Sequence, residues 1–263
     1  MVLTFLALSA HAQFVDSTTG LLMMPSAEMQ ESGTFMISNS FLNKAYLENP
    51  EGYDIAWGYN TFAYGFDITF FSRLEIAYVC TIFNHNWSPN PNASERAKIM
   101  FNQDRHFAAK VQALKEGEFG WKWMPSVVLG VSDPVTGSGG DYLDDNVGGS
   151  GNGYFNRFYI AVAKHFDTSV GNFGAHAAYQ YTRRKYIIPK GPCVGVTWNP
   201  VWLNRPDSFL SSFRVIAEYD AKEVNLGLTA SVWKDHFEFW TCLQACQHFN
   251  GGVRFKVVLA GSK

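Results

Sequence analysis

The stretch YFNRFYIAVAKHF, residues 154–166, carries the reading on which the fold turns. Its even positions are Tyr154, Asn156, Phe158, Ile160, Val162, Lys164 and Phe166, and its odd positions are Phe155, Arg157, Tyr159, Ala161, Ala163 and His165. A period of two is the pattern of a β-strand, whose successive side chains point to opposite faces. The middle of the even face is large and apolar. The odd face mixes small residues with an arginine and a histidine. The fold depends on which solvent each face meets.

The alternation recurs along the chain about a dozen times, with no helical stripe to compete with it. Phe62, Tyr64, Phe66, Ile68 and Phe70 alternate with Ala63, Gly65, Asp67 and Thr69. Phe213, Val215, Ala217 and Tyr219 alternate with Arg214, Ile216, Glu218 and Asp220. Val224, Leu226, Leu228, Ala230 and Val232 alternate with Asn225, Gly227, Thr229 and Ser231. A soluble sandwich also alternates, but its solvent face is usually rich in Lys and Glu. Here the thinner face is mostly Gly, Ala, Ser, Thr, Asn and Gln, with a few charges of both signs. Small polar residues suit a narrow barrel lumen, wet or plugged, and large apolar ones suit lipid. Tyr154, Phe166, Tyr181, Tyr219 and Trp233 at strand ends fit interfacial aromatic girdles.

The connections agree. Long polar stretches near residues 47–57, 84–104, 133–152 and 183–190 alternate with short turns near 72–73, 116–120 and 167–172. Outer-membrane barrels show this asymmetry, with the short turns on the periplasmic side. Residues 199–212, NPVWLNRPDSFLSS, break the rhythm by being long where a short turn is due. The expected fold is therefore all-β, an antiparallel up-and-down transmembrane β-barrel of about twelve strands.

Composition bounds the function classes. In 263 residues, aromatic residues reach 16% and charged residues only 17%, and the net charge of −2 offers no basic field for nucleic acid. Val2–Leu8 (VLTFLAL) is a short apolar core, and Ala10-His11-Ala12 before Gln13 fits a signal-peptidase site, although no positive residue follows Met1. The expectation is a signal peptide over residues 1–12, a barrel domain over 13–263, and a bacterial outer-membrane location.

The chemical motifs are sparse. Of the four cysteines, Cys242 and Cys246 are close enough in TCLQAC to bridge, but buried or lipid-facing free thiols are the favoured reading. The seven histidines lack metal-motif spacing, and His165 and His176 are read as hydrogen-bonded interior groups. The loop 139–153, with Asp141, Asp144 and Asp145 among glycines, lacks the order of a calcium loop. No G-x-S-x-G elbow or P-loop is present, so a non-enzyme without metal or cofactor is expected, while a glycosidase carboxylate pair stays open. Asp67, Glu75, Lys110, Arg157, Arg214, Glu218, Asp220 and Glu238 fall on the thin face, where opposite charges either pair and fill the lumen or line a polar path.

Three stretches resemble the YjbH-like family. They are FVDSTTGLLMMPSAEMQESGTFMIS (14–38), DRHFAAKVQALKEGEFGWKWMPSVVLGVSDPVTG (104–137) and EYDAKEVNLGL (218–228). The resemblance implies an outer-membrane barrel associated with exopolysaccharide or capsule production and export. It singles out Pro25, Asp104, Arg105, Lys110, Glu116, Pro125, Gly130, Asp133, Glu218, Tyr219, Asp220 and Asn225. The chain is shorter than many members, and its glycine-rich stretch after Asp133 departs from their usual Gly-x-Gly run. With the face assignment, the candidate binding groups are Lys110, Glu116, Asp133, Arg157, Arg214, Glu218, Asp220 and Asn225. Expected partners are outer-membrane lipid, a polysaccharide and polysaccharide-export proteins. A small-solute porin and a soluble exported carbohydrate-binding β protein are the alternatives.

Overall fold

The structure is a computed structural model that describes residues 16–47, 60–85, 100–134, 155–182, 188–205 and 208–259. The apolar leader, the loop 139–153 and Tyr154 lie outside these residues. Twelve strands run in chain order: β1 (Thr34–Leu42), β2 (Thr61–Phe70), β3 (Leu74–His85), β4 (Met100–Leu114), β5 (Ser126–Ser132), β6 (Arg157–Thr168), β7 (Gly171–Tyr181), β8 (Gly191–Pro200), β9 (Leu210–Tyr219), β10 (Val224–Val232), β11 (Phe237–Gln244) and β12 (His248–Val258). Each pairs antiparallel with its sequence neighbours, and β1 pairs with β12 from Thr34↔Val258 to Phe41↔Gly251, closing the barrel. Closure leaves no strand edge exposed. Among the described residues no helix is long and apolar enough to cross a membrane.

The faces fall as the alternation expects. On β6, Arg157, Tyr159, Ala161 and Ala163 are buried in the interior, while Ile160 and Phe166 are exposed outside. Val196 on β8 and Phe107 on β4 are 58% and 56% exposed, whereas Glu75, Lys110 and Glu238 are fully buried. Large apolar groups pointing out and charges pointing in is the inverse of a soluble sandwich. The outer aromatic groups also touch across strands, as in Phe66–Tyr78–Phe107, with ring centroids 5.7 and 5.2 Å apart. Phe166, Tyr181, Tyr219 and Trp233 are exposed near strand ends.

One end carries the connections β2–β3, β4–β5, β6–β7, β8–β9 and β10–β11, and is called the turn end below. The expected asymmetry is only partial, because β9–β10 and β11–β12 at the opposite end are also short, joining Tyr219 to Val224 and Gln244 to His248. The exceptional connection 199–212 belongs to the turn end. Val201–Leu203 forms one 3-10 turn, and Asn204 folds the remainder back: its Nδ2 donates to Pro200 O at 2.7 Å, and its Oδ1 accepts from Phe213 N at 2.9 Å. The Asn204 amide thus ties Pro200, at the end of β8, to Phe213 on β9. The β4–β5 turn is longer than expected, running from Leu114 to Ser126, with Gly117 and Gly120 at φ 69° and 74°.

All four cysteines are free. Cys242 is buried in the lumen, and Cys246 is exposed in the β11–β12 turn, where its thiol donates to Val224 O at 3.5 Å.

Residues 16–30 do not join the wall. They run inside the barrel, and Asp16 to Ala27 are without exception buried. The segment folds a tight loop, with a bridge between Gly20 and Pro25 and Leu21 N donating to Met24 O at 3.2 Å. Leu21, Leu22, Met23 and Met24 form an apolar core with inward residues of the wall, among them Val79, Ile216 and Trp240. The core of this protein therefore sits in the lumen.

Candidate functional site

The inward charges are the candidate site; Glu238 pairs with Arg254, and Asp67 is buried without a hydrogen-bond partner among the described residues. Most of the others grip the internal segment. Glu218 on β9 accepts from the backbone N–H groups of Leu22 at 2.9 Å and Met23 at 2.6 Å, so one carboxylate caps the tip of the loop. Glu75 on β3 accepts from Thr19 N at 2.9 Å and Gln30 N at 3.0 Å. Lys110 on β4 donates to Thr19 O at 2.6 Å and also to Glu28 O, and it lies 3.7 Å from Glu75. Arg157 on β6 pairs with Asp16 and donates to Met23 O at 3.3 Å. Arg214 on β9 pairs with Glu28 at 3.0 Å.

A loop without strand partners carries orphan N–H and C=O groups, and burying them unpaired costs about 1–3 kcal/mol each. The wall answers them with ionised side chains, whose hydrogen bonds are roughly twice as strong as neutral ones. The charges in turn avoid the penalty of unpaired burial. The wall also thins where the loop touches it. A Cβ on Gly227 would lie 2.7 Å from Leu22 Cδ2, and one on Gly195 would lie 3.0 Å from Met24 Sδ.

The other candidates stand apart. Asp220 Oδ1 accepts from Lys222 N at 3.0 Å and Glu223 N at 2.8 Å, shaping the β9–β10 turn. Asn225 donates to Glu218 at 3.2 Å and Asp220 at 3.1 Å and accepts from Ala245 N at 3.0 Å, tying two neighbouring turns together. Asp133 ends β5 with φ 48°, its N–H donating to Phe107 O at 2.8 Å and its carbonyl accepting from Asn156 at 2.9 Å. Tyr219 faces outward, and so does Arg105, which is exposed. The side chain of Asp104 is outside the described set. The eight candidates therefore spread along the lumen from end to end, with Asp133 and Asp220 near the loop end and Glu116 at the turn end.

Glu116 belongs to a second group that joins wall to plug. His165 Nδ1 lies 2.7 Å from Glu116 Oε2, and His165 Nε2 lies 3.0 Å from Glu28 Oε1. Lys164 Nζ donates to Glu116 Oε1 at 2.8 Å, and His165 N–H donates to the same oxygen at 3.1 Å. Burial pushes the Glu116 carboxyl up, but the hydrogen bonds from His165 and Lys164 outweigh it and bring it down to about 2. His176 stands beside His165, ring centroids 5.5 Å apart, with Nδ1 3.3 Å from Ser26 Oγ and Nε2 3.3 Å from Thr197 Oγ1. His165 and His176 are interior hydrogen-bonded groups, as read from the alternation.

Asp16, Thr19, Ser26 and Glu28 were missed by sequence reasoning. The available signal was negative: residues 16–30 are the longest stretch near the N-terminus without period-two alternation, yet they are not polar like the loops.

Residues 16–259 match the YjbH family model, described as exopolysaccharide biosynthesis protein YbjH. No curated protein matches the chain at a significant level. Among solved structures, two mutants of Rh. blastica porin are similar at 12% identity, covering 87% of this chain and 75% of theirs. Their TM-scores are 0.30 and 0.29. The matched family span begins at Asp16, so it takes in the internal segment as well as the wall.

Proposed function

We propose that this chain, which belongs to the YjbH family of exopolysaccharide biosynthesis proteins, is a plugged outer-membrane barrel serving surface-polysaccharide production or export as a non-enzymatic scaffold. One observation carries this reading: the inward charges that could have lined a polar path are engaged by residues 16–30 of the same chain, through Glu218, Glu75, Lys110, Arg157 and Arg214. Charges paired in this way are not free to bind sugar hydroxyls in transit, which leaves groups such as Asp67, Thr229 and Ser231, buried without a hydrogen-bond partner among the described residues, as the remaining polar lining. Polysaccharide and export proteins then meet the barrel at its ends, and lipid meets the apolar outer wall. The apolar exterior also supports membrane residence over a soluble sugar-binding role.

Planar-bilayer recording tests the plug. Wild-type protein should insert without steady conductance, and E218Q combined with R214Q should produce openings. Steady ohmic conductance from the wild type would favour the porin reading instead. Deletion of the gene should lower cell-surface polysaccharide, and its persistence at full level would remove the polysaccharide role. Retention of the protein in membranes through an alkaline carbonate wash tests the location.

A further inference from the structure

We propose that Glu28, His165 and His176 form a binding site for one divalent transition-metal ion of the zinc class, set between the plug and the wall. One ligand atom from each of the three residues lies within 4.8 Å of the other two. A tetrahedral ion with bonds of about 2.1 Å holds its donors roughly 3.4 Å apart, so small side-chain rotations close the site. His165 Nε2 and Glu28 Oε1 are already 3.0 Å apart. Two imidazoles and one carboxylate make a borderline-soft donor set that suits zinc and its neighbours better than calcium or magnesium.

The surroundings are those of a metal site. Metal-binding histidines commonly hand their other ring nitrogen to a carboxylate or another polar group, which fixes the tautomer. Here Glu116 Oε2 holds His165 Nδ1 at 2.7 Å, and Ser26 Oγ lies 3.3 Å from His176 Nδ1, so both Nε2 atoms turn toward the site, where an ion would displace the 3.3 Å contact of His176 Nε2 with Thr197 Oγ1. Arg214 takes the far oxygen of Glu28, Oε2, at 3.0 Å, so the near oxygen remains directed at His165.

The backbone makes room for the pair. His165 sits opposite Gly174 and His176 opposite Ala163, so the two rings are diagonal neighbours on the inner face. A Cβ on Gly174 would lie 2.6 Å from His176 Nε2 and 3.1 Å from His165 Cδ2. A hydrogen-bonded anchor for Glu28 needs only His165. The second imidazole, the glycine beneath both rings and the two supporting acceptors are explained by an ion. Its effect would be to lock the plug, since Glu28 belongs to the internal segment and both histidines to the wall. The inference does not depend on the role in polysaccharide production.

Cobalt(II) titration of chelator-stripped full-length protein in detergent tests it. The expected result is a visible d–d absorption band that saturates at one equivalent and is displaced by zinc. H176N, which keeps the His165–Glu28 bond, should lower cobalt affinity by at least tenfold, while H248N should leave it unchanged. E116Q alters no ligand and should weaken binding roughly 10–100-fold through His165, which keeps the test open if H176N does not fold. Folded wild-type protein that shows no saturable band, or a band unchanged in both H176N and E116Q, would overturn the site in favour of a hydrogen-bonded anchor.

Discussion

At the scale of single residues, Glu218 shows how one carboxylate can organise a whole segment. Its two oxygens collect the N–H groups at the tip of the internal loop, which have no strand partner. E218A should destabilise the protein by about 1–3 kcal/mol, the cost of buried donors left unpaired. Urea titration followed by tryptophan fluorescence reads this as a lower midpoint, and an unchanged midpoint would show that the loop is held by other contacts alone. Glu118 offers a pH handle outside the strands. The Lys115 N–H and the Arg73 guanidinium hold its carboxyl below the ordinary value of 4.5. A depressed carboxyl contributes stability that is present above its unfolded value and is lost as pH falls through its folded value. The clamp between the β2–β3 and β4–β5 turns should therefore loosen below pH 4.5, faster proteolysis of the turns being the readout, and R73Q should weaken that dependence without abolishing it, because the Lys115 N–H still holds the carboxyl down. His165 and His176 were legible as inward residues because alternation places them there. Glu28 was not legible as their partner, because it lies 137 residues from His165 and no local pattern reports such an approach.

At the scale of elements, the wall was readable and the plug was not, for one physical reason. A strand with an apolar outer face and a crowded polar inner face must alternate, so its sequence repeats every two residues whatever its neighbours are. The internal segment meets protein on all sides, so every position from Asp16 to Ala27 is buried and no period survives. The connection 199–212 was likewise opaque, because Asn204 shapes it through bonds to Pro200 and Phe213 that spacing does not reveal. The outward rows make a direct prediction. Val196 lies mid-strand on β8 and is 58% exposed, so V196R should cost about 2–4 kcal/mol of folding into bilayers. Folding yield into lipid vesicles measures this, and V258R at a strand end, the same charge at another depth, should cost far less. The Gly227→Val exchange should instead act from within by crowding both Thr241 O of the neighbouring strand and Leu22, with overpacking of about 1–3 kcal/mol seen as lower thermal stability.

At the scale of the whole molecule, closure rests on the pairing of the first strand with the last. Thr34↔Val258 and the seven register pairs that follow it join residues more than two hundred positions apart. Removing residues 248–263 should leave β1 and β11 with open edges and abolish the compact, heat-modifiable species on gels, and a truncated chain that kept that species would contradict the closed topology. The barrel class was legible because the outer face carries exposed large apolar residues and the crowded inner face carries small residues and charges. That the interior is filled by the chain itself was open from sequence, since paired lumen charges and a polar path have the same composition.

The internal segment has a bearing on the width of the cylinder. Residues 16–30 touch β3, β4, β6, β7 and β9, so their polar anchors act as struts that tie strands on different sides of the wall to one inner post.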